Sequence, residues 1–236
     1  MPSILFIFTS ADKNLLGGQT GYYLPEAAHA YYVLASHFNI DFASPKGANP
    51  PVDEGSVKLY VEDKKDSESI QWMSDETVKS KLANAKKLSD VNTSEYDAVY
   101  YPGGHGPSID LPFDTTNHKI ASEFFQAGKL TTAVCHGSAA LVGATGKDGK
   151  SIFNGKKATG FSNKEEEILQ GIKAIPFLTE DRIKENGGLY EKNPEPWGVC
   201  THFLSLFGSL AHWTRLLTGE GRRRWDPDYG SEPGLG

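Results

Sequence analysis

Residues 3–9 read Ser-Ile-Leu-Phe-Ile-Phe-Thr, an apolar run with no polar residue interleaved. A half-exposed strand alternates apolar and polar positions. A run apolar at every position suits a strand buried on both faces, as in a parallel sheet. Further strands are expected at 40–43, 96–101 and 130–134, each interrupted by Asp or Thr, and a short one near Lys157 and Ala158. Between them lie helical patterns. In 24–37, Leu24, Ala28, Tyr31, Tyr32 and Ala35 recur at helical spacing and Pro25 stands where a first-turn proline belongs. Further helices are expected at 117–126, 138–143, 165–170 and 179–186, the last closed by Gly187. Strand and helix in alternation predict an α/β sandwich, a mostly parallel sheet with helices on both faces. In such sheets the site lies at the carboxyl ends of the strands, and three segments fall there: 17–26, 103–105 and 135–136.

The polar stretch 46–95 reads as an insertion over the core, with a turn at Pro50-Pro51 and a helix over 75–88 capped by Ser74. The net charge of −6 argues against nucleic acid, whose phosphates need clustered Lys and Arg. Two cysteines, Cys135 and Cys200, are too few for a disulfide framework in 236 residues, so thiols in a reducing compartment are expected. The N-terminus lacks a basic signal region, and no stretch reaches the ~20 apolar residues of a membrane span. The nearest is 203–213, which contains His212 and two serines. The expectation is a soluble cytoplasmic protein without nucleic-acid or membrane partners. From Gly219 on, composition predicts a disordered tail.

Cys135 follows an apolar strand and precedes Gly137, Ser138, Ala139 and Ala140. That is the setting of a nucleophile elbow, where a sharp turn projects the side chain and a helix N-terminus lowers the thiol pKa. The competing reading is a buried structural cysteine. His136 can serve the same site as acid/base, oriented by a carboxylate, or simply pack beside the helix start. Gly103-Gly104 after a strand offers amides for an oxyanion. Glu26 is either a first-turn acid complementing the helix dipole or a carboxyl beside the thiol. A zinc site from Cys135, His105 and His136 matches no known spacing. The glycines in 17–21 lack the lysine and spacing of a phosphate loop, so nucleotide binding is rejected.

Taken together, Thr20-Gly21-Tyr22 with Pro25-Glu26, the segment Tyr101-Pro102-Gly103-Gly104-His105-Gly106, Ala133-Val134-Cys135-His136-Gly137 and Thr159-Gly160-Phe161 resemble the DJ/PfpI superfamily. Within it they are most similar to the fungal branch of heat-shock chaperones and glutathione-independent glyoxalases. Pro196-Trp197-Gly198 also matches that branch. The resemblance implies a flavodoxin-like three-layer sandwich, a single class I glutamine amidotransferase-like domain over 1–219. It implies Cys135 as nucleophile, Glu26 as a protonated carboxyl near the sulfur and His136 as acid/base. Register places the third residue at Glu166, flanked by Glu165 and Glu167. Gly103, Gly104 and His105 are assigned to oxyanion and substrate binding. The implied activity converts methylglyoxal to lactate with no cofactor and no metal, and a homodimer is possible in such a branch. The alternatives are a holdase chaperone or redox-stress sensor, or a deglycase or peptidase using the same thiol. Beyond residue 199 the chain departs from the family: 200–214 is apolar, and Gln-Asn-Pro does not follow Leu216-Leu217-Thr218-Gly219. A retained intron or shifted frame would explain both. If native, 203–213 should form a helix with one apolar face.

Overall fold

Why the first run is apolar throughout is visible in the computed structural model, which describes residues 1–198 and 200. The expectations for the 203–213 helix and the tail from Gly219 lie outside the described residues. In β1 (Ser3–Ile7), Ile4 and Phe6 point to one side, where they pack with Phe42 and Trp72. Leu5 and Ile7 point to the other, into a cluster with Val99, Tyr101 and Phe124. Each face of the strand therefore has its own core, and no position remains for a polar residue.

The elements follow as α1 (Leu24–Leu34), β2 (Asn39–Ser44), α2 (Glu54–Val57) running into a π-helical turn (Lys58–Asp63), α3 (Ser67–Ser74), α4 (Glu76–Ala83), β3 (Lys86–Lys87) and β4 (Ala98–Tyr101). Then come α5 (Gly106–Ile109), α6 (Thr115–Gln126), β5 (Leu130–Ala133), a 3-10 turn (Cys135–Leu141), β6 (Lys157–Ala158), α7 (Asn163–Ile168), α8 (Thr179–Glu185) and β7 (Leu189–Tyr190). Five strands form one sheet in the order β3-β2-β1-β4-β5, and each pairing is parallel. This is the expected flavodoxin-like α/β fold. β6 pairs instead with β7 in a separate two-stranded sheet.

Several boundaries differ from expectation. Residues 75–88 are not one helix capped by Ser74. Asp75 caps α4, accepting from the amides of Thr77 and Val78; the helix stops at Ala83, and Lys86–Lys87 adds an edge strand to the main sheet. The stretch 46–95 also places Trp72, Val78 and Leu88 in the cores, so it is built into the fold and does not merely lie over it. β5 is the sheet's edge strand among the described residues.

From β1 the chain winds outward to β2 and β3, then returns to the other side of β1 for β4 and β5. Successive connections thus leave β1 and β4 in opposite directions and open a crevice at their carboxyl ends. The loops after β1, β4 and β5 converge there.

Candidate active site

The backbone changes direction abruptly after β5. Val134 is extended, with φ −129° and ψ 150°, and Cys135 then takes a left-handed φ of 54°. A non-glycine residue in that region is strained and needs neighbours that hold it. The amide of Gly137 donates to the Val134 carbonyl at 2.8 Å, and Ser138 Oγ donates to the Cys135 carbonyl at 2.7 Å. A Cβ on Gly137 would lie 2.3 Å from the Tyr101 carbonyl oxygen, so only glycine lets the turn seat against β4. The elbow expected from sequence is present, and it leaves Cys135 part-exposed while His136 is buried.

The expectation of a thiol with lowered pKa is not met. Burial pushes the Cys135 thiol well up and the charge of Glu26 adds to the rise; backbone N–H groups of Gly104 and His136 pull the other way. The residues after Cys135 form a tight 3-10 turn and not an α-helix, so no long helix dipole stands behind the sulfur.

Glu26 comes to the thiol from the first turn of α1. Its Oε2 accepts the Gly103 amide at 2.8 Å, and its carboxyl is also hydrogen-bonded with Cys135. Burial raises its pKa to about 7, against the lowering effect of these two hydrogen bonds. The expected raised pKa is therefore present, but its principal cause is desolvation and not repulsion from a thiolate. Gly103, assigned from sequence to an oxyanion, gives its amide to Glu26 instead. A Cβ at position 103 would lie 2.5 Å from Glu26 Oε2 and 2.6 Å from Cys135 Cβ, so glycine is required for the two side chains to meet.

His136 Nδ1 lies 3.4 Å from Cys135 Sγ, and its Nε2 lies 2.6 Å from Glu166 Oε2. Burial lowers the His136 pKa, opposed by its bond to Glu166. Burial likewise pushes the Glu166 carboxyl up, but the hydrogen bonds from His105 and His136 outweigh it and bring the pKa down to about 2. An ionised Glu166 accepts from Nε2–H of His136, which leaves the Nδ1 lone pair facing the sulfur. Of the three successive glutamates, Glu166 is the one turned inward. Glu165 closes a capping box with Ser162 and accepts the Trp197 amide, and Glu167 is exposed and pairs with Lys164. His105, assigned to substrate, is instead bound to the same carboxylate, Nε2 to Glu166 Oε1 at 2.9 Å.

Three further residues were not singled out from sequence. Phe161 stacks on His136 with ring centroids 4.1 Å apart. Tyr23 sits close enough to Glu26 and Cys135 for their charges to raise its pKa, though burial raises it most. The ring of Tyr60, from the π-helical turn, stands 5.7 Å from that of Tyr23. Tyr23 adjoins the quoted Gly21-Tyr22 motif, and Phe161 lies in another. Nothing in the sequence around Tyr60 points to the site.

A flavodoxin-like sheet carrying a thiol on a strained elbow, a carboxyl against the sulfur and a histidine–carboxylate pair beside it defines a class of cysteine-centred α/β proteins. The DJ-1/PfpI family model matches residues 29–185, and the chain belongs to that family. It is 31% identical over 212 residues to Glyoxalase 3 of Candida albicans, covering 85% of this chain and 88% of that one. It is likewise 31% identical over 187 residues to the glutathione-independent glyoxalase HSP31 of Saccharomyces cerevisiae, covering 77% of this chain and 78% of that one. The X-ray structure of the Francisella tularensis Rapid Encystment Protein 24 kDa superimposes with a TM-score of 0.77 at 34% identity, covering 84% of this chain and 86% of that one. Among the described residues no helix is long and apolar enough to cross a membrane.

Proposed function

We propose that the protein is a glutathione-independent glyoxalase that isomerises and hydrates methylglyoxal to lactate. The observation that carries this reading is the 3.4 Å approach of His136 Nδ1 to Cys135 Sγ, with His136 held from behind by Glu166 at 2.6 Å. The relatives named Glyoxalase 3 and glutathione-independent glyoxalase HSP31 support it.

Cys135 and Glu26 are two acids in contact, so one negative charge is shared between them more cheaply than two are held. With the proton on Glu26, the carboxyl becomes a donor to a thiolate that the Gly104 and His136 amides also face. The thiolate adds to the aldehyde carbon, forming a C–S bond and an alkoxide that takes the proton held by Glu26 to become a hemithioacetal. His136 Nδ1 removes the hydrogen from that carbon, giving an enediolate, and the proton returns to the neighbouring former ketone carbon. The product is a lactoyl thioester. Water attacks its carbonyl, the C–S bond breaks and lactate leaves; the Cys135–Glu26 pair regains its one proton and a second proton goes to solvent. Oxidation at one carbon is matched by reduction at its neighbour.

The test is turnover of methylglyoxal by purified protein without glutathione, with lactate as the measured product. Wild type should turn over, and Cys135→Ser should lose activity by at least about a thousandfold. A folded wild-type sample with no turnover overturns the reading.

A further inference from the structure

Glu166 is bound by two imidazoles at once. His105 Nε2 meets Oε1 at 2.9 Å and His136 Nε2 meets Oε2 at 2.6 Å, and the two rings stand 4.6 Å apart, edge to face. One donor atom from each of the three residues lies within 4.8 Å of the others. His136 and Glu166 are buried and His105 has 22% of its side chain exposed, so an ion would enter from the His105 side. Gly171 packs its bare backbone against the cluster: a Cβ there would fall 2.0 Å from Glu166 Oε1 and 3.0 Å from His105 Nε2. Two imidazoles and one carboxylate are the protein ligand set of a mononuclear zinc site that leaves its fourth position to water.

We propose that His105 Nε2, His136 Nε2 and a carboxylate oxygen of Glu166 bind Zn²⁺, and that the ion holds the enzyme inactive. This differs from the trio considered from sequence, in which Cys135 was a ligand and Glu166 was not. Ligation needs a lone pair on each Nε2, so in each neutral imidazole the proton moves to Nδ1, with no net proton released. On His136 that proton then points at Cys135 Sγ. The lone pair facing the sulfur is replaced by an N–H, and the base is lost while the thiol stays untouched. Small side-chain shifts suffice, because Zn–N and Zn–O distances of about 2.0–2.2 Å bring the three donors around one centre.

Co²⁺ is the probe, added to the full chain while its visible absorption is followed. Expected are the ligand-field bands of a low-coordinate N/O site, without a thiolate-to-cobalt charge-transfer band, and unchanged in Cys135→Ser. His105→Gln keeps an N–H donor for Glu166 but is a poor ligand, and it should weaken Co²⁺ binding by more than about tenfold with its thermal transition intact. Zn²⁺ should inhibit methylglyoxal turnover reversibly, with EDTA restoring it. Only this last arm rests on the glyoxalase reading. Cobalt bands in a protein that never turns over would keep the site and sink the function; turnover without cobalt binding would do the reverse. A charge-transfer band that vanishes in Cys135→Ser, or binding undiminished in His105→Gln, overturns the proposal.

Discussion

A carboxyl that keeps its proton near neutral pH burdens the fold in a way that is measurable without substrate. Glu26 has a pKa of about 7 in the folded chain, against 4.5 for an unperturbed glutamate. Below the lower value both folded and unfolded chains hold the proton, and burial carries no ionic penalty. As pH rises through the window between the two values the unfolded chain ionises freely and the folded one does not, so stability falls. Glu26→Gln keeps an acceptor for Gly103 and cannot ionise. Its stability relative to wild type should grow across that window by on the order of 3 kcal/mol, read as a pH-dependent difference in melting temperature. A difference that is flat with pH would show that Glu26 is not the buried acid described. Glu166→Gln tests the other end of the site. A glutamine amide can donate to His136 Nε2 and turn Nδ1–H toward the sulfur, so kcat should fall by about 10²–10⁴ while KM moves little. The choice of Glu166 was legible in part. Ser162 with Glu165 is a capping-box spacing, which commits Glu165 to the backbone and leaves the next residue free to face inward. The role of His105 was not legible, because what it touches comes from α7, 61 residues further along the chain.

At the level of elements, the elbow depends on how closely the 3-10 turn approaches β4. Gly137→Ala would place a methyl 2.3 Å from the Tyr101 carbonyl and force the turn away from the sheet. We expect a destabilisation of about 1–3 kcal/mol in chemical unfolding, with activity falling further than stability because Cys135 and His136 both ride on the turn. A smaller stability loss with full activity would mean that the turn is not seated as described. The elements that sequence reading placed well are those with strong period and clear ends: β1, α1, β4 and α6. Those it misplaced are governed by competing local chemistry. Ser74 and Asp75 are adjacent candidates for one cap, and the carboxylate wins by taking two amides. Lys86-Lys87 carries no apolar signal at all, yet it becomes a strand because β2 offers an unpaired edge and Lys86 reaches Asp41 and Tyr96 from there. The switch from helix to 3-10 geometry after Cys135 is likewise invisible in composition, since Gly, Ser and Ala fit either.

On the scale of the whole molecule, the question is whether 46–95 is a cover or part of the body. Trp72 decides it. Its side chain is 1% exposed and stacks on Phe42 of β2 at 5.7 Å, while its ring stands edge-on to Tyr31 of α1 at 5.5 Å. Its indole N–H donates to Tyr22 Oη at 3.1 Å, and Tyr22 lies one residue before Tyr23 at the crevice. The same ring thus joins the polar stretch, the sheet, the first helix and the loop that carries the site. Large aromatic deletions in such settings cost about 3–5 kcal/mol, and the orphaned Tyr22 hydroxyl adds to that. Trp72→Ala should therefore lower the main calorimetric transition as one unit, with loss of stability of that order and weakened turnover through Tyr22 and Tyr23. A lid folded independently over the core would behave otherwise: the variant would lose a small early transition and leave the main one in place. Calorimetry that splits in this way would return 46–95 to the status of an appendage, and a single displaced transition would establish that the crevice and the polar stretch are held by one core.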